Sequence, residues 1–436
     1  MQEQLALKVY KFGGASVKDA TAIRNLVEIV QQHRSQGPLV VVVSAMGKTT
    51  NALEAIFALA FARQDYAPPL AQLISFHRTA LQELSGGFGP GTAATLEQEF
   101  EAVFRQLAAQ LAEVSPTQDY DAQYDQIVSC GELLASKLIA GVLHDTHPTR
   151  WLDCRPLLRT DDCWREARID WLTTEANLRT TVPKQLREAS VLVTQGFVGG
   201  TRDGRTTTLG REGSDYTAAI FAYCLQAKSV TIWKDVAGLL NADPKFFADP
   251  VRYPEISYQE TIEMAYYGAS VIHPKTIKPL AVRQIPLFVK SFLDPAAEGT
   301  RIGDCRHELL APAFIRKTGQ VLISFESKDL TFISEENLEV IFGALAQVRL
   351  KINMMQNSAI SFSVCTDFAA FRLEKLLGQL REQFTIHYNT GLELYTIKNY
   401  DAASIRRLIE GREVLLEQRT RQTFQVVCRG GTEFIA

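Results

Sequence analysis

Leu39-Val40-Val41-Val42-Val43 is an unbroken apolar run. A strand with no polar face has to be covered on both sides, which is the situation inside a parallel sheet flanked by helices. Residues 191–193 and 229–233 read the same way, and residues 9–12 form a shorter strand of this kind. Each run leads into a polar turn, and the turns after the first two are followed by helical patterns. Ile23, Leu26, Val27 and Val30, for instance, recur at helical spacing until Gly37-Pro38 stops them. The alternation predicts an α/β fold with a mainly parallel sheet sandwiched by helices. In such sheets ligands sit at the carboxyl ends of the strands, so the turns are where function is expected.

The densest turn is residues 195–219, QGFVGGTRDGRTTTLGREGSDYTAA. Its glycines let backbone N–H groups approach an anion, and the helix that follows aims its positive end at the loop. Arg205, Arg211 and Asp215 lie within it. The combination suits a site that holds phosphates and a carboxylate together. Gly13-Gly14-Ala15-Ser16 and Ser44-Ala45-Met46-Gly47-Lys48-Thr49-Thr50-Asn51 leave the first two strands in the same manner. Gly47-Lys48-Thr49 is not a P-loop, because the first glycine of that motif would fall on Val42, inside a strand. Glu132 opens an apolar helix and by itself reads as a cap or a partner of the helix dipole rather than as a site residue. Lys234-Asp235 leaves the strand at 229–233, either toward a nucleotide or as a plain surface turn. His273 before Pro274 reads as a structural hydrogen bonder.

Composition narrows the classes. A length of 436 residues suggests two or three domains. A net charge of −3 without a basic block argues against nucleic acid as the main partner. No apolar run approaches the ~20 residues a bilayer span needs, and the first residues lack a signal-peptide pattern. Seven cysteines without CxxC spacing suggest neither a disulfide framework nor a zinc site, so a cytoplasmic protein with no metal ligand set is expected. Past Gly299-Thr300 the pattern changes. It predicts strand 321–325, helix 336–346, strands 349–355 and 359–365, helix 368–381 and strand 384–388. A shorter unit follows, with strand 392–397, helix 402–416 and strand 423–427. Neither holds a catalytic set, and both read as α+β ligand-sensing or dimerisation modules.

Taken in order, Lys11-Phe12-Gly13-Gly14-Ala15-Ser16-Val17, Val43-Ser44-Ala45-Met46-Gly47, Ser129-Cys130-Gly131-Glu132, the run from Thr207 to Ala219 and Tyr267-Gly268-Ala269-Ser270-Val271-Ile272-His273-Pro274 resemble the motifs of aspartokinases. The resemblance is to the monofunctional form, with no homoserine dehydrogenase portion. It implies an amino-acid-kinase-fold catalytic domain over 1–305, a ferredoxin-like ACT module over 306–391, and an abbreviated second ACT unit over 392–436. It also implies transfer of the γ-phosphoryl group of ATP to the side-chain carboxylate of L-aspartate, with Mg2+. That reaction gives 4-phospho-L-aspartate, the first step toward lysine, threonine and methionine.

By resemblance, Lys11 and Asp215 are catalytic. Ser44, Thr50, Glu132, Arg211 and Ser214 hold aspartate. Lys11, Gly13, Gly14, Lys234, Asp235, Leu240, Lys245 and Ser270 hold ATP. A homodimer is implied, as is an amino-acid effector at the ACT region. Departures from the family pattern are Lys234 for Thr, Leu240 for Tyr, Lys245 for Arg, Ser270 for Lys and Ala15 for Thr; Lys234 is expected to restore the positive charge lost at Ser270. Asn353 and Ala359 stand where lysine-sensitive relatives have acidic residues, and Glu336 where a turn glycine is usual, so altered or absent lysine inhibition is expected. Two other readings stay open: an acyl-phosphate-forming kinase acting on another amino acid such as glutamate, and a kinase homologue that senses amino acids without turnover.

Overall fold

The computed structural model describes residues 7–32, 37–89, 91–247, 249–269, 272–306, 311–328 and 331–429. They form two compact units. The first comprises Met1–Leu239, Pro254–Ile262 and Ile272–Arg306, and the second Leu240–Tyr253, Glu263–Val271 and His307–Ala436.

The first unit is built on the strands β1 (Lys8–Phe12), β2 (Leu39–Val43), β3 (Thr149–Leu152), β4 (Val191–Gln195), β5 (Val198–Gly200), β6 (Thr206–Thr208), β7 (Ser229–Lys234), β8 (Glu255–Ser257), β9 (Leu287–Ser291) and β10 (Thr300–Gly303). Eight of them make one sheet in the order β3-β4-β2-β1-β7-β9-β10-β8. β3 through β9 run parallel, and β10 turns back antiparallel to β9. β5 and β6 form a separate antiparallel hairpin. β2 and β4 are buried along their whole length, as their apolar or unpolarised faces require. The chain leaves β1 for β2 on one side and later returns to lay β7 on the other. That reversal is where open α/β sheets form ligand crevices.

Helices α1 (Ala20–Gln32), α2 (Thr49–Phe61), α3 (Ala67–Ser85), α4 (Thr92–Ala112), α5 (Tyr120–Val128), α6 (Cys130–His144), α7 (Trp171–Gln185), α8 (Gly213–Leu225), α9 (Tyr258–Tyr267) and α10 (Pro274–Val282) complete the order. Ile23, Leu26, Phe57, Phe100, Leu107, Leu134 and Leu138 from α1, α2, α4 and α6 share one core with Tyr10, Val41, Val193 and Trp233 of the sheet. The Trp233 ring stacks on Phe12 at 6.0 Å. The helical stretch Tyr120–His144 is long and apolar enough to cross a membrane, but 78% of its apolar window is buried inside the protein, as in a core helix.

The second unit is one antiparallel sheet of six strands: β11 (Ala313–Ser327), β12 (Ile352–Asn357), β13 (Ser361–Asp367), β14 (Phe384–Lys398), β15 (Val414–Arg419) and β16 (Thr423–Arg429), ordered β12-β13-β11-β14-β16-β15. Its helices are α11 (Glu335–Gln347), α12 (Ala370–Leu380) and α13 (Ala402–Ile409). α11 and α12 pack Ile341, Leu345, Leu373, Leu376 and Leu377 onto Val321, Ile323, Phe325, Phe362 and Val364. This is the expected βαββαβ module.

Three details differ from expectation. The boundary at 391/392 falls inside β14, which runs without a break through both modules. Helix 402–416 is really α13 ending at Ile409, then Gly411 at φ +73, then β15; the glycine supplies the left-handed turn that ends the helix. Finally, the second module is not short of a strand, because the first half of β11 pairs with the second half of β14, from Ala313 opposite Lys398 to Lys317 opposite Leu394. Its sheet face is covered by α13 together with Ala242, Phe246 and Phe247, which join Tyr395, Ile397, Phe424 and Val426 in one cluster.

Candidate active site

Lys11 lies at the carboxyl end of β1, and its Nζ sits 2.6 Å from Asp215 Oδ1. Lys234, the last residue of β7, approaches the other oxygen, Oδ2, at 3.7 Å. Asp215 comes from the first turn of α8 and is 1% exposed. Burial pushes its carboxyl upward, but the Lys11 and Lys234 ammonium groups outweigh that and hold it below the ordinary value. One buried carboxylate therefore fixes two cations at the ends of neighbouring strands. Two ammonium groups against one carboxylate leave an excess positive charge at the ends of these strands, suited to an anionic group.

The loops after β1 and β2 lie against each other. Ser44 N–H donates to Phe12 O at 3.1 Å, and Gly47 N–H to Gly14 O at 3.0 Å. A Cβ on Gly14 would stand 2.8 Å from Gly47 O, so that residue has to be glycine. One on Gly13 would meet Lys11 Nζ at 3.4 Å, which places Gly13 beside the cation. Ser44 is half-buried between these loops.

Glu132 enters from α6 and is 3% exposed. Its Oε1 accepts the Ala45 N–H at 3.2 Å, while Oε2 is buried and has no hydrogen-bond partner among the described residues. Burial raises its carboxyl to about 8, against the opposing pull of the Ala45 N–H, its own N–H and Lys11. A buried polar atom left unsatisfied costs about 1–3 kcal/mol, so it is favoured where a ligand brings the missing donor. α6 can come this close because Gly131 has no side chain; a Cβ there would sit 2.9 Å from Ala45 Cβ. Thr50 is half-buried in the first turn of α2. Its neighbour Thr49 is buried, with Oγ1 3.4 Å from His77 Nε2. His77 Nδ1 stands 2.8 Å from Leu73 O, and burial lowers that imidazole to about 4.

The turn from β6 into α8 carries the other expected substrate residues. Ser214 is buried against the Gly196 backbone, where a Cβ would stand 2.5 Å from Ser214 Cβ. Arg211 is exposed. Asp125, buried in α5, accepts the Thr208 N–H (2.8 Å), the Thr208 hydroxyl (2.7 Å) and the Arg165 N–H (3.0 Å), which ties this turn to the helical layer. Glu212 has φ +54 and accepts the His273 N–H at 2.7 Å.

The structure thus brings together Lys11, Gly13, Asp215 and Lys234, with Gly14 and Ser44 in the adjoining loops and Glu132 reaching the β2 loop from the first turn of α6. Asp235 is exposed beyond β7. Leu240 and Lys245 belong to the second unit, where Leu240 bridges to Arg252 and the Lys245 N–H bonds Asp243 at 2.9 Å. Ser270 lies outside the described residues. Asp125, His77 and Glu212 were not singled out from the sequence. The first two sit in long helical stretches without a local motif; Glu212 stood in plain view inside GREGSD. Among the described residues no three His, Cys, Asp or Glu side chains gather as a metal site.

Residues 6–291 match the amino acid kinase family. The lysine-sensitive aspartokinase 3 of Escherichia coli (strain K12) is 32% identical over 361 residues, covering 82% of this chain and 78% of that protein. A chloroplastic bifunctional aspartokinase/homoserine dehydrogenase 1 of Zea mays is 30% identical over 372 residues; the chain spans 39% of its length. Among solved structures, E. coli aspartokinase III in complex with aspartate and ADP, described as an R-state, superposes with a TM-score of 0.81 at 27% identity. The match covers 97% of this chain and 96% of that one.

Proposed function

The chain belongs to the amino acid kinase family and, within it, to the aspartokinases; on that premise we propose how its own residues carry the reaction. It is an ATP-dependent kinase of amino-acid biosynthesis that phosphorylates the side-chain carboxylate of L-aspartate to give 4-phospho-L-aspartate. Lys11 and Lys234 neutralise the transferring phosphoryl group, and Asp215 keeps both ammonium groups aimed at it. The amides of Gly13 and Gly14 approach the same phosphate oxygens. Glu132 takes the ammonium of aspartate on its unpartnered oxygen, Arg211 pairs with a carboxylate of the substrate, and Ser44, Thr50 and Ser214 line the remaining wall. Asp235, Leu240, Lys245 and Ser270 are assigned to the nucleotide on resemblance alone. No covalent intermediate is needed, so positioning and charge neutralisation supply the rate.

Mg2+ is proposed to arrive as the ATP complex, with phosphate oxygens and water as its ligands, because the described residues offer no cage of their own. The product is taken to feed lysine, threonine and methionine synthesis in the cytoplasm, and the enzyme to work as a homodimer. The second unit is assigned as a pair of ACT modules. Asn353 there is engaged by Lys317 Nζ (3.0 Å), Gln320 (2.9 Å) and Asp367 (2.9 Å), which favours weak binding of any cationic effector.

The observation that carries this reading is Asp215 buried between Lys11 and Lys234, within electrostatic reach of Glu132 through Lys11. Its test is acyl-phosphate formation trapped as the hydroxamate, with Mg-ATP and a panel of acidic amino acids. Activity with aspartate that disappears in Lys11→Ala is expected. Turnover of glutamate instead, or of no acid at all by a folded protein, would overturn it.

A further inference from the structure

Gly210 and Gly213 close a tight turn, with Gly213 N–H donating to Gly210 O at 2.9 Å. Arg211 and Glu212 are its two central residues. Gly210 has φ +74 and Glu212 has φ +54, while Arg211 between them keeps an ordinary negative φ. A turn with a left-handed residue at its third position favours glycine there, since any Cβ is strained. This chain places a glutamate at that position.

The side chain supplies the reason. Glu212 Oε2 accepts the His273 N–H at 2.7 Å, and His273 is the N-cap of α10, its ring accepting the Lys275 N–H at 3.1 Å. Glu212 O in turn accepts the Tyr216 N–H at 3.1 Å as α8 begins. One residue therefore ends the turn, starts α8 and ties that start to the first turn of α10. Its carboxylate is also within electrostatic reach of Lys234, Asp215 and Lys11. Arg211 feels the same corner, lying close enough to His273 to act on its ring.

We propose that Glu212 is a positioning residue: by holding the Gly210–Gly213 turn to the head of α10, it fixes the direction in which Arg211 presents its guanidinium to the carboxylate of the substrate. The inference rests on the assignment of Arg211 to aspartate made above. Without the tether the turn still forms, because glycine suits the backbone better than glutamate does, but Arg211 loses its fixed bearing. Alignment of a bidentate guanidinium is what that bearing secures, and a misaligned fork loses binding to the substrate carboxylate before it disturbs the phosphate-binding cations.

The test is a pair of variants, E212G and E212Q, with thermal unfolding and steady-state constants for both substrates. E212G removes the tether and the strain together. It is expected to melt no lower than wild type, to raise the KM for aspartate about tenfold, and to leave kcat and the KM for ATP within about threefold. E212Q keeps an acceptor oxygen for the His273 N–H and is expected to restore the KM for aspartate to within about threefold of wild type. An unchanged KM for aspartate in E212G overturns the inference, as does a uniform loss of kcat, affinity and melting temperature, which would mark a purely structural role. Calorimetric titration of aspartate into wild type separates the two possible failures. A wild type that binds and phosphorylates aspartate while E212G does so equally well sinks this inference alone; a wild type inert to aspartate sinks the reaction assignment first.

Discussion

Both units bury charges, but they bury them differently. In the second unit Glu393 is 6% exposed and saturated: Arg316 pairs with it at both oxygens, and the Tyr395 hydroxyl donates to it at 2.6 Å. Lys398, 3% exposed, meets Glu263 at 2.5 Å and Gln422 at 3.2 Å. In the first unit Asp215 is shared between two lysines, and Glu132 keeps one oxygen without a partner among the described residues. Closed ion pairs hold a sheet in register; open ones hold unsatisfied valence for something that is not the protein. The difference separates a charge closed on the protein from one open to a ligand without reference to motif.

The largest effect expected from breaking this contrast is at Lys11. Lys11→Ala should lower kcat about a thousandfold, in the range seen when a transition-state charge partner is removed, with the fold intact by circular dichroism. Next comes the closed pair. Arg316→Met leaves Glu393 buried and uncompensated, so about 3–5 kcal/mol of stability should be lost in denaturant titration, while the kinetic constants of the folded enzyme stay as they were.

Glu132→Gln should raise the KM for aspartate roughly ten- to a hundredfold, the worth of one charge-assisted bond. It also carries a pH signature. The folded carboxyl is raised to about 8 from an ordinary 4.5, so the folded state holds its proton longer than the unfolded chain does. Its contribution to stability is present below 4.5 and is lost as pH rises toward and through about 8. The variant lacks that loss, and its stability relative to wild type should climb across the same window. An ammonium placed on Oε2 reverses the shift, so aspartate binding near pH 7 should release a proton, detectable by calorimetry in buffers of different ionisation enthalpy. Lys234→Ala should raise the KM for ATP by about tenfold, and an unchanged value would remove Lys234 from the phosphate site. The smallest effect is expected from lysine itself: titrated at millimolar concentration it should change the rate less than twofold, and tight binding would refute the reading of Asn353.

The parallel sheet was legible because its strands are apolar on both faces, and 39–43, 191–193 and 229–233 fall where the runs predicted them. β3, β8 and β10 were not, being strands of three or four residues at or next to the sheet edges, with mixed faces such as Thr149–Leu152. Lys11, Asp215, Glu132 and Gly14 were found through motif order, and burial then gave each a physical reason. What sequence alone did not reveal was long-range pairing. The half of β11 from Ala313 to Lys317 was not foreseen as a strand; it is ordered by its pairing with Leu394–Lys398 of β14. The break expected between strands 384–388 and 392–397 holds Gly391 at φ +69, yet β14 continues through it, in a ladder whose register shifts there. Gly411 was a stop signal available in the sequence and read past.

The strand shared between the two modules also sets an order of birth. As the chain is synthesised, Ala313 and its neighbours emerge well before Lys398, the residue that Ala313 will face. The first module can close as soon as β14 begins, but the second stays open until Thr423–Arg429 has been made and laid beside β14. Pairing partners so distant along the chain are won late and against loop entropy. A premature stop within the last strands should therefore leave the first module folded and the second half of β14, from Leu392 to Lys398, as an unpaired edge, the kind of surface that quality control in a cell removes.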